Sequence, residues 1–250
     1  MKRCFAFTSR NLKEIIRDPL SLIFCFIFPV ASLLLMELII NSVAVDFSQT
    51  PQFQIQNLFP SICIFSFTFL TLFASILISK DRASSFQARL NASPLKPIES
   101  IAGYILALVP IALIQVALVL GVSFCFGLQF SWNILLSIVM LIPSFLLFTG
   151  FGILIGVLCG EKAVGGISSL IINAAVLLGG MFFPLQIMKG VFPTICKCLP
   201  FQPALSMVSS AITNDYSQIW IPIVTVIGYT LVVYAFAVWA FYKKMKSDKR

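Results

Sequence analysis

The sequence predicts an all-α membrane protein with six transmembrane helices. Three observations carry that prediction. First, the chain is 59% hydrophobic and only 10% charged, whereas roughly a quarter of the residues in an average soluble domain are charged. Second, the apolar residues fall in six runs. Each run is near or above the roughly 20 residues that a helix needs to cross about 30 Å of hydrocarbon. Third, the lysines and arginines lie almost wholly on one side of those runs. The runs are continuously apolar rather than alternating, which favours helices over barrel strands.

The first element, 1–18, is an amphipathic elbow helix. Phe5, Thr8, Leu12, Ile15 and Ile16 recur at helical spacing, while Arg10, Lys13, Glu14 and Arg17 occupy other faces. Such a helix lies in the membrane interface. Asp18-Pro19 ends it, because proline disfavours helix in the residue before it and suits the first turn of a new one. Spans are then expected at 20–42, 58–79, 101–128, 133–159, 166–185 and 219–242. Ser42-Val43-Ala44 loosely imitates a signal-peptide cleavage site, but the run before it exceeds the about 7–15 residues of such a segment. The first span is therefore expected to remain.

Two connectors stand out. A loop between elements commonly takes about 4–6 residues, and 80–98 is longer. Phe86 and Leu90 are spaced i, i+4, with Ala83 and Ser93 on or near the same face, and Pro94 and Pro97 close the segment. This predicts a short helix held below the membrane as a knob for a cytoplasmic partner. Phe86 is too large and apolar for a solvated linker. The second connector, 186–214, holds Pro193, Pro200 and Pro203 and is too apolar for an open loop. Short helices dipping into the outer leaflet are expected there, with Phe182, Phe183, Phe192 and Phe201 as an apolar lid. The tail, 243–250, is basic.

Charge sets the orientation. Fifteen of the 17 lysines and arginines lie before the first span, between the second and third, between the fourth and fifth, or after the sixth. The positive-inside rule makes that side cytoplasmic. The expectation is a multi-pass protein of the cell inner (plasma) membrane with both termini inside. The net charge of +8 is then a topology signal. No nucleic acid partner is expected, because no soluble domain presents a basic patch.

Catalytic chemistry is poorly served. Histidine is absent, which removes the usual general base and metal ligand and the usual triads. The nine acidic residues are too scattered for paired acid/base work. No G-x-x-x-x-G-K-[ST] loop occurs; Gly160-Glu161-Lys162 lacks the spacing. Cys4, Cys25, Cys63, Cys125 and Cys159 lie in or beside the membrane, where cysteine acts as a small hydrophobe. A bond between Cys196 and Cys198 would be strained, so neither a metal nor a redox site is expected. Within the spans, Glu37 is costly to bury and is a candidate for pairing with a cationic substrate or carrying a proton; equally, it can sit at the outer interface and reach water. Gln115 and Asn173 either line a path or bond a neighbouring helix. Gly152, Gly156 and Gly160 form a small-xxx-small ladder suited to close packing or to a dimer interface.

Several segments together carry a family likeness. Asp81-Arg82-x-x-Ser85, followed by Ala92-Ser93-Pro94-Leu95, resembles the loop of ABC-2 type transporter permeases. That loop runs acidic-Arg-acidic-x-Gly-Thr before a helix ending Thr-Pro-Leu. Ala83, Ser85 and Phe86 depart from the pattern, and Arg89 and Asn91 make the helix more polar. Arg17-Asp18-Pro19-Leu20 is similar to the family's entry to the first span. Gly180-Met181-Phe182-Phe183-Pro184-Leu185 and Leu199-Pro200-Phe201-Gln202-Pro203-Ala204-Leu205 are similar to its later segments, with Gln202 where asparagine is common.

The resemblance implies an ABC-2, type V exporter-like fold. It implies a dimer of six-span units, formed with a second copy or a paralogue, above two ATP-binding subunits. The 80–98 segment would be the coupling helix, with Asp81, Arg82, Phe86, Arg89, Leu90, Ser93 and Pro94 as its ATPase-coupling residues. No cofactor is expected on this chain; ATP and magnesium would sit on the partner. The expected cargo is a drug, lipid or antimicrobial peptide, with Glu37, Gln115, Asn173, Phe182 and Phe183 as candidate path residues. Alternatives are a polysaccharide-exporting permease of the same fold, an ion-coupled secondary transporter, and a membrane scaffold.

Overall fold

The computed structural model describes residues 2–42, 53–84, 97–182, 190–217 and 219–247. Among the described residues every regular element is a helix. Helix α1 (Lys2–Ile16) leads through Asp18 to α2 (Pro19–Leu22), a π-helical turn (Ile23–Ile27) and α3 (Phe28–Ser42). Then follow α4 (Ile55–Ala83), α5 (Pro97–Cys125), α6 (Trp132–Leu158) and α7 (Glu161–Gly179). Two short helices, α8 (Phe192–Cys198) and α9 (Phe201–Thr213), precede the long α10 (Trp220–Ser247). Among the described residues, six segments are long and apolar enough to cross a membrane: Ile23–Ser42, Ile55–Ala83, Ile98–Cys125, Trp132–Leu158, Glu161–Gly179 and Trp220–Lys244. The protein is an all-α, multi-pass membrane protein.

Local chemistry sets the helix ends. Pro97 opens α5 at the position where a missing N–H costs nothing. Ser131 caps α6, its hydroxyl accepting from the Asn133 N–H at 3.3 Å. Gly180 and Asn214 take left-handed conformations after α7 and α9, with φ of 67° and 63°. Helix α4 runs through Lys80, Asp81 and Arg82, one turn past the apolar run that ends at Ser79. Hydropathy marks where hydrocarbon ends, not where hydrogen bonding ends. Helix α7 stops at Gly179, so Phe182 lies beyond it, and Phe183 falls outside the described residues.

Elbow helix α1 buries Phe7, Asn11 and Ile15, while Phe5 and Ile16 are exposed. That face differs from the one its apolar periodicity marks. A helix lying on both protein and lipid must satisfy two surfaces, and sequence periodicity sums them.

Helix α4 is the central column. Its most apolar stretch is 89% buried, against 17% for that of Ile23–Ser42, and α3, α5, α6, α7 and α9 all pack on it. Its hydroxyls stay satisfied without water. Ser61, Ser66, Thr68, Ser75 and Ser79 donate to carbonyls three or four residues back at 2.6–3.0 Å. Thr71 instead reaches across to Phe148 O at 2.8 Å, and Ser75 meets Ser168 of α7 at 2.7 Å.

Two glycines allow the closest approach. A Cβ on Gly152 would lie 2.5 Å from Thr71 O, and one on Gly156 would lie 2.8 Å from Ser75 O. Both glycines face α4 within the chain. Gly160 does not share that face: it is the N-cap of α7, and nothing lies within 4 Å of its Cβ position. Gly152→Ala should therefore destabilise by about 1–3 kcal/mol through forced separation of α4 and α6, while Gly160→Ala should be nearly neutral. Thermal unfolding of the purified variants in one detergent checks this, and equal losses at the two positions would contradict the packing.

Candidate functional site

The densest polar cluster forms where α4 ends. Asp81 lies in the last turn of α4, and its side chain is 1% exposed. A carboxylate so enclosed costs several kcal/mol unless paired and hydrogen-bonded. Arg10 of α1 provides the pair, with Nη1 2.6 Å from Asp81 Oδ1 and 2.7 Å from Oδ2. Tyr104 of α5 donates its hydroxyl to Oδ2 at 2.8 Å. The Arg10 guanidinium also holds Glu14 Oε2 at 2.7 Å and Asn11 Oδ1 at 3.0 Å. Charge-assisted bonds of this kind are roughly twice as strong as neutral ones.

The elbow is fixed to α5 by shape as well. The Phe7 ring meets Tyr104 edge-on, with centroids 4.9 Å apart and planes at 79°. It lies where Gly103 has no side chain: a Cβ there would be 2.4 Å from Phe7 Cδ1. Thr8 adds a bond to Gly103 O at 3.3 Å. The sequence therefore needs glycine and tyrosine side by side in α5, one to admit a ring and the next to support it.

Arg82 turns the opposite way. Its Nη1 donates to Gly156 O at 2.9 Å, to Val157 O, and to Cys159 O at 3.3 Å. These carbonyls close α6 and lack acceptable donors within their own helix, and the helix dipole places partial negative charge there. Lys244 of α10 donates to the neighbouring Leu158 O at 3.1 Å. Two adjacent residues of opposite charge thus bind α4 to α1 and α5 on one side and to α6 on the other. The chain leaves this junction at Ser84, whose N–H donates to Lys80 O at 3.1 Å and whose hydroxyl donates to Asp81 O at 2.9 Å. The described chain resumes at Pro97 with α5. A few directional bonds thus tie together four helices, α4, α1, α5 and α6, beside the point where the chain leaves α4.

The other expected site residues are dispersed. Phe86, Arg89, Leu90, Ser93 and Pro94 lie outside the described residues. Glu37 is half-buried on α3. Gln115 is buried on α5 and donates to Cys25 O at 3.0 Å. Asn173 is exposed on α7 and donates to Ser169 O of its own helix at 2.8 Å. Phe182 is half-buried, its ring 5.2 Å from that of Phe65. Phe65 continues into a ladder of rings through Phe69, Phe28 and Phe24, with neighbouring centroids 5.2–5.8 Å apart. Sequence reasoning missed Arg10 and Tyr104 as partners of Asp81. The one available signal was that an acid at the edge of a span requires a cation within reach.

Arg10→Gln should be the more damaging break of the pair, because it strands a carboxylate that water cannot reach. A loss of about 3–5 kcal/mol is expected for a buried charge left unpaired. Asp81→Asn should cost less, since Arg10 is 36% exposed and keeps Glu14. Thermal unfolding together with amide exchange in α1 tests that order, and a larger effect from Asp81→Asn would refute the burial argument.

A family model described as ABC-2 type transporter matches residues 2–213. The match covers α1 through the last residue of α9. No curated protein matches the sequence.

Proposed function

The chain belongs to the ABC-2 type transporter family, and we propose that it is the permease subunit of an ATP-binding cassette exporter. Family membership makes it the membrane component of an ABC transporter, a kind of subunit that pairs with a separate ATP-binding subunit. In our reading the partner binds ATP and magnesium and hydrolyses the nucleotide. This chain moves a hydrophobic or amphipathic molecule across the cell inner membrane by alternating access. Two permeases, identical or paralogous, sit over two ATPases, and both termini are cytoplasmic.

The Asp81–Arg82 junction is the observation that carries this proposal. A connector that transmits force needs a rooted base, and 85–96 springs from a base tied to α1, α5 and α6. The tandem lies within the Asp81-Arg82 segment that resembles the family's coupling loop. The junction lies at the end of the bundle rich in lysine and arginine, which the positive-inside rule assigns to the cytoplasm. The ring ladder supports an apolar cargo. Phe28 is 40% exposed on the least buried span, and aromatic faces accept flat or hydrocarbon ligands without fixed hydrogen bonds.

The decisive variant is Phe86→Asp. It should leave the protein in the membrane but abolish co-purification of the ATPase, or its stimulation by cargo. Unchanged ATPase binding and stimulation would remove the coupling role from this segment. Orientation is tested separately. A cysteine at Gln56, which is exposed near the start of α4, should be labelled by an impermeant maleimide from outside. One at Asn91 should be labelled only after the cytoplasmic face is opened. The reverse pattern would invert the topology.

A further inference from the structure

Pro29 is buried inside the first span. It has no N–H for the carbonyl four residues back, and its ring crowds that carbonyl. The carbonyl belongs to Cys25, itself 1% exposed. Two features accommodate the defect. The turn widens into a π-helix, Ile23–Ile27, with the Phe28 N–H donating to Ile23 O five residues back. Cys25 O takes its donor from another helix, Gln115 Nε2 of α5, at 3.0 Å. The same nitrogen lies 3.5 Å from Ser66 O on α4. Gln115 is 1% exposed, and its Oε1 has no hydrogen-bond partner among the described residues.

A proline alone does not produce this break. Helices α5 and α6 run as continuous α-helix through Pro110 and Pro143. Among the described residues, only the first span combines a proline, a π-turn and a donor from a second helix. Turns of this kind inside helices recur at functional sites.

We propose that the Pro29 break is the hinge of the first span and that Gln115 is its latch, a positioning residue that sets the angle between the two halves. One side-chain bond stands where a backbone bond would be. The ladder across this turn is therefore one backbone bond short, with the Phe28 N–H to Ile23 O bond still spanning it. The amide nitrogen, which carries two hydrogens, donates to both Cys25 O and Ser66 O in this structure. Releasing Cys25 O would leave Gln115 held to α4 through Ser66 O. The span is also the least buried of the six, so little packing resists the swing. The inner half joins α1 and through it Asp81, whereas the outer half carries Phe28 and Glu37. The hinge gains its use from the transport reading above, but its test does not depend on that reading.

The test uses the full chain in lipid nanodiscs without ATPase or ATP. Spin labels at Ile16 and Leu38, both exposed, bracket the break, and double electron–electron resonance reads their separation. Labelled protein is diluted with unlabelled protein so that only distances within one chain are seen. Gln115→Met keeps the side-chain length but removes the donor, and should broaden or split the distance distribution. Pro29→Ala restores a backbone N–H for Cys25 O and should narrow it. In the Pro29→Ala background, Gln115→Met should lose most of its effect. A Gln115→Met effect of the same size in both backgrounds would show a packing residue, not a latch, and would overturn the proposal. No broadening in Gln115→Met would do the same. Should Gln115→Met fold poorly, Pro29→Ala alone decides: an unchanged distribution rejects the hinge. Since no ATPase is present, a failure of ATP-driven transport cannot produce any of these results.

Discussion

A carboxylate shut away from water dictates how one end of this molecule is built. Asp81 must have a cation and further donors, and each comes from a different element: Arg10 from α1 and Tyr104 from α5. That demand draws the elbow across the end of α4 onto α5. The elbow can lie close only because Gly103 leaves room for Phe7. Arg82, the next residue, projects to another side of α4 and answers a second demand, the unsatisfied carbonyls at the end of α6. Four helices are therefore placed by the electrostatics of two consecutive residues. The connector between Ser84 and Pro97 inherits its footing from them.

The interior of the bundle follows the same rule in a milder form. Helix α4 is buried on nearly every side yet carries many hydroxyls. Most of them bond their own helix, which makes the column effectively apolar to its neighbours. Thr71 is an exception that works because Gly152 brings α6 within reach of it. Close approach and cross-helix bonding thus arise at the same place. Burial falls away outward, and the first span has the least of it. Its internal defect is then repaired by a side chain from α5, not by its own backbone.

The six spans and the elbow were legible in the sequence because both depend on local facts: the length of an apolar run, and its periodicity against charge. What escaped sequence reading was non-local. Arg10 looked like one more topology charge among five basic residues before the first span. Tyr104 sat unremarked in an apolar run, and nothing near Pro29 in sequence points to Gln115. The glycine ladder shows the limit well. Its spacing is correct for one helical face, yet Gly160 begins a new helix and has no part in the packing of Gly152 and Gly156. Spacing defines a face only as far as the helix continues. The helix also outlasts the apolar run of the second span, since α4 continues through Asp81 and Arg82.

These strengths also decide where a displacement would be absorbed. Breaking the Arg10–Asp81 pair leaves a buried charge unpaired, at a cost of about 3–5 kcal/mol. Releasing the Gln115–Cys25 bond leaves one neutral buried carbonyl without that donor, at a cost of about 1–3 kcal/mol. On the proposed coupling role, a push delivered at Ser84 would carry the elbow along as a body and leave the charged clamp intact. The elbow is joined to the first span through Arg17 and Asp18, so the inner half of that span must follow. Strain would then collect at the proposed hinge, the turn between Cys25 and Pro29. A stiff charged joint in series with a soft neutral one concentrates bending at the soft one, beside the rings of Phe24, Phe28 and Phe69.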